Sequence, residues 1–335
     1  RGALRFIGLQ GRVVMKTPTV ILHTDNPDAS REVLEKRHSD LPIRTCSTYE
    51  GLAGLISETE AEVVYSVRFQ GTPGFPREAL VNSESVRWVS VAGSGTDHLA
   101  PWDGGHVTVT NAAGVAAEMM SQYVLGVMLH FSLGFPTYRA AQARQEWLMG
   151  EVEPIDGKTV LILGLGNTGR AVAARSKLMG LETLGVRANP KDTPHVDEVH
   201  GLDALDGLWE RADFLVVCVP LLESTRNLVS KTAFERLKSS TVVIDISRGG
   251  VVDEAALISA LDTGAIRGAG LDVFSTEPLA KGHRLWDYEN VIVTPHCSAV
   301  YAGWDLKSVQ MFSDNLTRYR EGQTLSNIVD PARGY

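Results

Sequence analysis

KTVLILGLGNTGRAVAARSKLMG, residues 158–180, reads as strand, turn and helix in immediate succession. The apolar run from Val160 to Leu163 has the length and composition of a buried parallel strand. Gly164, Leu165, Gly166, Asn167, Thr168 and Gly169 form a G-x-G-x-x-G turn, and Arg170 to Met179 carries a helical pattern. Each glycine answers a separate steric demand. Gly164 permits the tight turn, Gly166 lets backbone approach a pyrophosphate, and Gly169 allows the helix to pack close on the strand. The N–H groups at the helix start then face the phosphates. All six turn residues are candidate cofactor contacts. The bland alternative is an ordinary βα turn, but the flanking strand and helix favour a dinucleotide.

The next strand, LETLGV (181–186), should end beside the adenosine ribose. An NAD site normally places Asp or Glu there, roughly 20 residues past the glycines, to accept from the 2′-hydroxyl. This chain has Arg187, Ala188, Asn189, Pro190 and Lys191 instead, with no carboxylate before Asp192. A guanidinium suits a phosphate dianion by charge and by its fork of donors. NADP(H) is therefore favoured over NAD(H), with Arg187 and Asn189 as contacts. In the alternative, Arg187 is a solvated loop residue and both cofactors are accepted.

Three later runs each deliver one ionisable residue. TVVIDISRGG (241–250) brings Arg248, GAGLDVFSTEP (268–278) brings Glu277, and NVIVTPH (290–296) brings His296. Ligands of open α/β sheets bind at the carboxyl ends of the strands. Arg, Glu and His at three such ends describe a site that can hold an anion and move a proton. Taken singly, Arg248 reads equally as an ion-pair partner, Glu277 as a turn carboxylate and His296 as a core histidine. Their joint occurrence after a dinucleotide motif argues for chemistry.

At 335 residues the chain has room for two domains with cores of their own. A net charge of −8 argues against nucleic acid as partner. An anionic substrate needs a local positive group, and Arg248 is the obvious one. Cys46, Cys218 and Cys297 are scattered and odd in number, which gives neither a disulfide framework nor a metal cluster and implies a cytoplasmic home. No apolar run is long and clean enough for a membrane span. The nearest, Met119 to Phe135, contains Ser121, Gln122 and His130 and reads as a buried or interface helix. Residues 1–14 lack acidic side chains and precede Met15, so they read as a leader, either appended or left from a targeting signal.

Along the chain, strands are predicted at 19–23, 41–45, 61–67, within VRWVSVAGSG (86–95) and within HVTVTNAAG (106–114). Helices are predicted at about 28–38 and 50–57. A long helical stretch from Ala116 to about Arg144 should break near Gly134 and Pro136. The fold class is α/β, with two doubly wound domains and a cleft between them. A smaller flavodoxin-like substrate domain takes residues 15–112 plus 301–335. A Rossmann dinucleotide-binding domain takes 113–300. The C-terminal helix, about 301–319, returns to the first domain.

Five motifs in order carry a family resemblance. They are VSVAGSGTDHL (89–99), GKTVLILGLGNTGRAVA (157–173), VVCVPLLESTRNLV (216–229), DISRGGVVDEAALISALDTGAIRGAGLDVFSTEPL (245–279) and NVIVTPH. From about Ala61 to Ala299 the chain resembles the D-isomer-specific 2-hydroxyacid dehydrogenases, a family that includes glyoxylate/hydroxypyruvate reductases and phosphoglycerate dehydrogenases. The resemblance implies hydride transfer between NADP(H) or NAD(H) and a small 2-keto or D-2-hydroxy acid, by a homodimer. It implies that Arg248 binds the substrate carboxylate and carbonyl and that His296 is the general acid or base. Glu277 would hydrogen-bond the imidazole and fix its tautomer. Asp272 would hold the nicotinamide carboxamide, and Val219, Pro220, Thr225, Ile246 and Ser247 would line the nucleotide path. The backbone of Gly93, Ser94 and Gly95 would donate to the substrate carboxylate.

The chain departs from the family pattern in places. CSAVYAGW (297–304) puts Tyr301 and Trp304 where the family usually has small residues and a Thr, and Asp245 stands where Asn is frequent. SVRFQGTPG (66–74) borders the substrate side, with Arg68 a candidate for a second acid group and Phe69 for packing on the substrate. A solvated Arg and a core Phe serve equally well there. Two other readings fit the superfamily: a formate or phosphite dehydrogenase, and a corepressor-type scaffold that binds a dinucleotide without turnover. Formate dehydrogenases pair the histidine with Gln, so Glu277 argues against that branch. Retention of all three catalytic positions argues against the scaffold.

Overall fold

The computed structural model describes residues 16–69 and 72–332, so the leader predicted at 1–14 lies outside the described residues. The chain divides into two compact units. One runs to Ala112 and resumes at Asp305, and the other is Ala113–Trp304. In chain order the helices are α1 (Pro27–His38), α2 (Tyr49–Thr59), α3 (Arg77–Val81), α4 (Ala117–Ser132), α5 (Phe135–Ala143), α6 (Asn167–Leu178), α7 (Lys231–Arg236), α8 (Glu254–Asp262) and α9 (Trp304–Arg320).

The first unit is built on β1 (Val20–His23), β2 (Ile43–Cys46), β3 (Val63–Ser66), β4 (Trp88–Val91) and β5 (Thr108–Asn111). All neighbours are parallel, in the order β2-β1-β3-β4-β5. This is the flavodoxin-like winding. β1, β3 and β4 are buried along their whole length, as strands covered by helices on both faces must be. α9 completes this unit. Its Phe312 ring lies 5.2 Å from Tyr65 and 5.1 Å from Trp88. The indole N–H of Trp88 donates to Thr110 at 2.9 Å, which satisfies the one polar group of a fully buried side chain.

The second unit holds seven parallel strands: β6 (Thr159–Leu163), β7 (Glu182–Val186), β8 (Glu198–His200), β9 (Phe214–Val217), β10 (Val242–Asp245), β11 (Gly268–Leu271) and β12 (Val291–Val293). Their order is β12-β11-β10-β9-β6-β7-β8. Read from β8, the first six follow the Rossmann winding, and β12 extends the sheet. The strand order reverses at β6, between β7 and β9. The glycines of β11 set how closely α4 approaches. A Cβ on Gly268 would lie 2.6 Å from the Phe131 ring, and one on Gly270 2.6 Å from Val127. Val124, Val127, Met128 and Phe131 of α4 belong to this unit's core.

The helical stretch after Ala116 breaks as its sequence predicts. Gly134 takes a left-handed conformation (φ +65°), and Pro136 falls in the first turn of α5. The last helix starts at Trp304, later than the sequence suggests, because Gly303 sits at φ +84° and cannot be helical. α3 and β8 are additions to the sequence reading. At five and three residues they are too short to show a period. Among the described residues no helix is long and apolar enough to cross a membrane, no His, Cys, Asp or Glu group is arranged to hold a metal, and the three cysteines are free.

Candidate active site

β10, β11 and β12 are neighbours in register, with Asp245 opposite Leu271 and Leu271 opposite Val293. Their carboxyl ends therefore open side by side. Arg248 lies three residues past β10, Glu277 in the loop after β11, and His296 three residues past β12. Glu277 Oε2 is 2.9 Å from His296 Nδ1, and Glu277 Oε1 accepts the Phe274 N–H at 3.1 Å. The pair is partly open to solvent, at 37% and 39% side-chain exposure, so a reactant can reach it. His296 has φ +51°, an uncommon conformation for a residue with a Cβ. Arg248 is half-buried and donates from Nη1 to the Ser247 carbonyl at 2.7 Å. Gly249 must be glycine, since a Cβ there would lie 1.8 Å from the Phe274 carbonyl oxygen. The Arg248 loop thus packs directly on the segment that leads to Glu277.

Two buried carboxylates lie beneath these loops. Asp272, the residue after β11, accepts from the Thr294 hydroxyl at 2.6 Å, the Cys297 N–H at 2.9 Å and the Ser298 N–H at 3.0 Å. That takes three of the roughly four lone pairs of a carboxylate. Thr294 also meets the Tyr123 hydroxyl at 2.9 Å. Asp245, at the end of β10, accepts the Ser247 N–H at 2.9 Å and the Ser247 hydroxyl at 2.6 Å. Burial pushes the Asp245 carboxyl up to about 7, with the charge of Asp272 adding to it and the Ser247 hydrogen bonds and Arg248 opposing it. Neither Thr294 nor Tyr123 stands out in the sequence. Thr294 is inside the TPH motif, and Tyr123 is masked by the apolar pattern of α4.

The glycine turn after β6 has the features a dinucleotide requires. Gly164 sits at φ +100°, where a Cβ would be 2.8 Å from the Cys218 carbonyl oxygen. A Cβ on Gly169 would be 1.9 Å from the Gly164 oxygen. Gly166 differs, with no atom within 4 Å of its missing Cβ. It occupies the N-cap of α6 and provides no side-chain cap, so the first N–H groups of α6 have no side-chain acceptor at that position. This open cradle, beside the reversal in strand order, fits a pyrophosphate. Asn167 and Thr168 turn their side chains to Arg170 (2.8 Å) and Met120 (3.8 Å). Leu165 packs into the core.

The remaining predicted cofactor residues take varied positions. Arg187 directly follows β7, and its N–H donates to the His200 carbonyl at 3.0 Å. Asn189 and Lys191 are exposed beyond it. Val219 is half-buried and Pro220 exposed. The Thr225 hydroxyl folds its own loop, donating to the Pro220 carbonyl at 2.6 Å and accepting from the Leu222 N–H at 2.8 Å. The Ile246 side chain lies in the core, which leaves only its backbone for a ligand. Cys218 sits beneath the glycine turn and donates to the Leu163 and Gly164 carbonyls at 3.2 Å. Burial pushes its thiol up to about 12, so it keeps its proton at neutral pH.

Gly93, Ser94 and Gly95 belong to the first unit, in the turn after β4. Gly93 and Ser94 accept there from the Ala112 N–H (2.9 Å) and the Asn111 amide (2.7 Å). Arg68 is exposed. Phe69 joins a ring cluster within this unit, 4.8 Å from both Tyr49 and His23. In the second unit the Tyr301 hydroxyl donates to the Val115 carbonyl at 2.9 Å, and the Trp304 N–H donates to the Tyr301 carbonyl at 3.0 Å.

Comparison with known proteins gives a consistent assignment. The family model described as D-isomer specific 2-hydroxyacid dehydrogenase, NAD binding domain, matches residues 125–298. The D-3-phosphoglycerate dehydrogenase of Methanocaldococcus jannaschii is 30% identical over 315 residues, or 92% of this chain and 58% of that protein. The chain thus spans less than two thirds of that relative's length. The crystal structure of a D-isomer specific 2-hydroxyacid dehydrogenase family protein from Aeromonas salmonicida aligns with a TM-score of 0.84 and 29% identity, covering 94% of this chain and 100% of that one. That of a D-isomer specific 2-hydroxyacid dehydrogenase from Xanthobacter autotrophicus, in complex with NADPH and MES, aligns with a TM-score of 0.81 and 30% identity, covering 96% and 100%.

Proposed function

The chain belongs to the D-isomer-specific 2-hydroxyacid dehydrogenase family, and from that membership we propose that it interconverts a small 2-keto acid, such as glyoxylate or hydroxypyruvate, and its D-2-hydroxy acid, with NADPH as the favoured reductant. The observation that carries this reading is the Glu277–His296 pair, 2.9 Å apart, on loops leaving β11 and β12, the strands beside β10, whose loop carries Arg248. An imidazole oriented by a carboxylate, with a guanidinium supplied from the loop of the neighbouring strand, is what a carbonyl reduction needs from the protein.

The reduced nicotinamide, when bound, supplies the hydride for the carbonyl carbon. Gly164–Gly169 would receive its pyrophosphate, Arg187 and Asn189 the 2′-phosphate, and Asp272 the carboxamide. Val219, Pro220, Thr225, Ile246 and Ser247 would border its path. Arg248 grips the substrate carboxylate with two parallel N–H groups and polarises the carbonyl. His296 gives its Nδ1–H to Glu277, so Nε2 carries the exchangeable proton. It donates that proton to the oxygen as an alkoxide forms and takes it back in the reverse direction. The NADPH preference rests on Arg187 at the end of β7 with no carboxylate nearby before Asp192, and the Xanthobacter relative with NADPH agrees with it.

The same reading includes a homodimer in a reducing compartment. The apolar side of α4 is taken up by the core of its own unit. Beyond α5, however, Trp147 is 93% and Met149 85% exposed, a surface a second copy would cover. The test is a panel of 2-keto acids assayed with NADPH and with NADH. Turnover of glyoxylate or hydroxypyruvate, with higher kcat/KM for NADPH, is expected. A folded, dinucleotide-binding protein that turns over no 2-keto acid would overturn the reading.

A further inference from the structure

Tyr123, Thr294 and Asp272 lie in one hydrogen-bonded line. Tyr123, on α4, holds its hydroxyl 2.9 Å from Thr294 Oγ1, and Thr294 donates to Asp272 Oδ1 at 2.6 Å. The direction of the line is set from its acid end. An ionised carboxylate only accepts, so Thr294 donates to it and accepts in turn from Tyr123. Burial pushes the Tyr123 hydroxyl up to about 12, so it keeps its proton at neutral pH. The last link, hydroxyl to carboxylate, is charge-assisted and polarises the one before it.

The carboxylate then grips the chain just past His296. Oδ1 also accepts the Cys297 N–H at 2.9 Å, and Oδ2 accepts the Ser298 N–H at 3.0 Å. Within the same turn the His296 N–H donates to the Thr294 carbonyl at 3.0 Å. The segment 294–298 is tied on both sides of His296 to one buried acid, and His296 between them sits at φ +51°. For a residue with a Cβ that conformation is uncommon and carries a cost that surrounding contacts offset.

We propose that Tyr123 and Thr294, acting through Asp272, are positioning residues that hold the 294–298 turn in the bend that aims the His296 ring at Glu277. This rests on the reading of His296 as the proton carrier. When the line is cut, the backbone relaxes toward ordinary φ and the ring swings from its place. A displacement of about 1 Å at a reacting group costs on the order of a hundredfold in rate.

Asp272 is itself assigned to the cofactor, so the test leaves it intact. Thr294→Val removes the hydroxyl at constant shape, Thr294→Ser keeps it, and Tyr123→Phe cuts the outer link. Measured on the full chain are kcat and KM for the keto acid and for NADPH, and hydrogen exchange at the Cys297 and Ser298 amides. Thr294→Val should lower kcat about tenfold or more, short of that hundredfold, with KM for NADPH unchanged and both amides exchanging faster. Thr294→Ser should restore most of the turnover, and Tyr123→Phe should move kcat and exchange the same way by less. Should Thr294→Val fail to fold, Tyr123→Phe decides by the same two readouts. Unchanged kcat, or a fall in kcat with unchanged amide exchange, overturns the proposal. Absence of keto-acid turnover in the unaltered chain overturns the functional reading instead, and amide exchange alone then judges the clamp: faster exchange upholds it and unchanged exchange sinks it.

Discussion

Glu277 Oε2 and His296 Nδ1 lie 2.9 Å apart, on two loops that leave neighbouring parallel strands. Both partners are fixed from behind. Glu277 spends its other oxygen on the Phe274 N–H, and the turn of His296 is tied to Asp272. A surface ion pair between long, free side chains has little to hold it. Here short tethers hold both groups, and that is the arrangement a proton-transfer group requires.

His296→Ala should lower kcat by ~10²–10⁴, the usual worth of a positioned general acid, with NADPH affinity nearly intact. Glu277→Gln keeps the shape but offers Nδ1 an amide that can donate, which permits the wrong tautomer. Its kcat should fall, though no further than that of His296→Ala. The double variant should be no worse than His296→Ala alone, since the two residues act as one unit. Steady-state kinetics on the three variants gives the answer, and additive losses would separate the pair functionally.

Two glycines in one turn should part company when substituted. Gly166→Ala meets nothing within 4 Å and sits at φ −73°, so the fold accepts it and Tm should not move. The added methyl occupies the space assigned to the pyrophosphate, and the dinucleotide Kd should rise about tenfold or more. Gly164→Ala instead forces a Cβ to within 2.8 Å of a carbonyl oxygen at φ +100°. It should cost about 1–3 kcal/mol of stability and lower Tm. Thermal melts and NADPH titration of both variants check this. A Gly166→Ala protein with unchanged Kd would place the cofactor elsewhere.

The parts of the molecule legible in the sequence are those governed by local rules. A βα turn with spaced glycines and strands that end on charged residues follow from steric demands that a few consecutive residues state in full. Gly134 and Pro136 marked the helix break for the same reason. The place of Tyr123 is not legible in the sequence, because its hydrogen-bond partner lies 171 residues away and an apolar helix hides a polar tip. Asp245 was visible as an exchange but not as a titrating group, since its shift depends on burial and on Asp272. At Ile246 the motif marks a position on the nucleotide path, and only packing shows that its side chain goes into the core, which leaves the backbone for that role.

In the proposed function Arg187 sets the preference for NADPH. Its backbone is pinned to β8 through the His200 carbonyl, so the guanidinium extends from a fixed base. Charge-assisted hydrogen bonds contribute about 1.5–3 kcal/mol each. Arg187→Ala should therefore raise KM for NADPH roughly 10- to 100-fold and leave KM for NADH nearly unchanged. Initial rates across both cofactors test it. Equal effects on the two would remove Arg187 from phosphate recognition.

Asp245 makes a stability prediction whose sign follows from its raised carboxyl. In the folded chain it titrates at about 7, chiefly because it is buried, against 3.8 for the ordinary side chain. Between those values the folded state holds more protons than the unfolded one, so stability falls as pH rises. The contribution is complete below about pH 4 and gone above about pH 7. Asp245→Asn removes the titration while its oxygen still accepts from the Ser247 N–H and hydroxyl. Against the unaltered protein, the variant should gain about 1–3 kcal/mol at pH 8 and gain least near pH 4. Urea midpoints measured at several pH values give the difference directly, and other titrating groups cancel in it. Two stability curves that run parallel from pH 4 to pH 8 would mean that Asp245 is charged throughout, with its burial offset by Arg248 and Ser247.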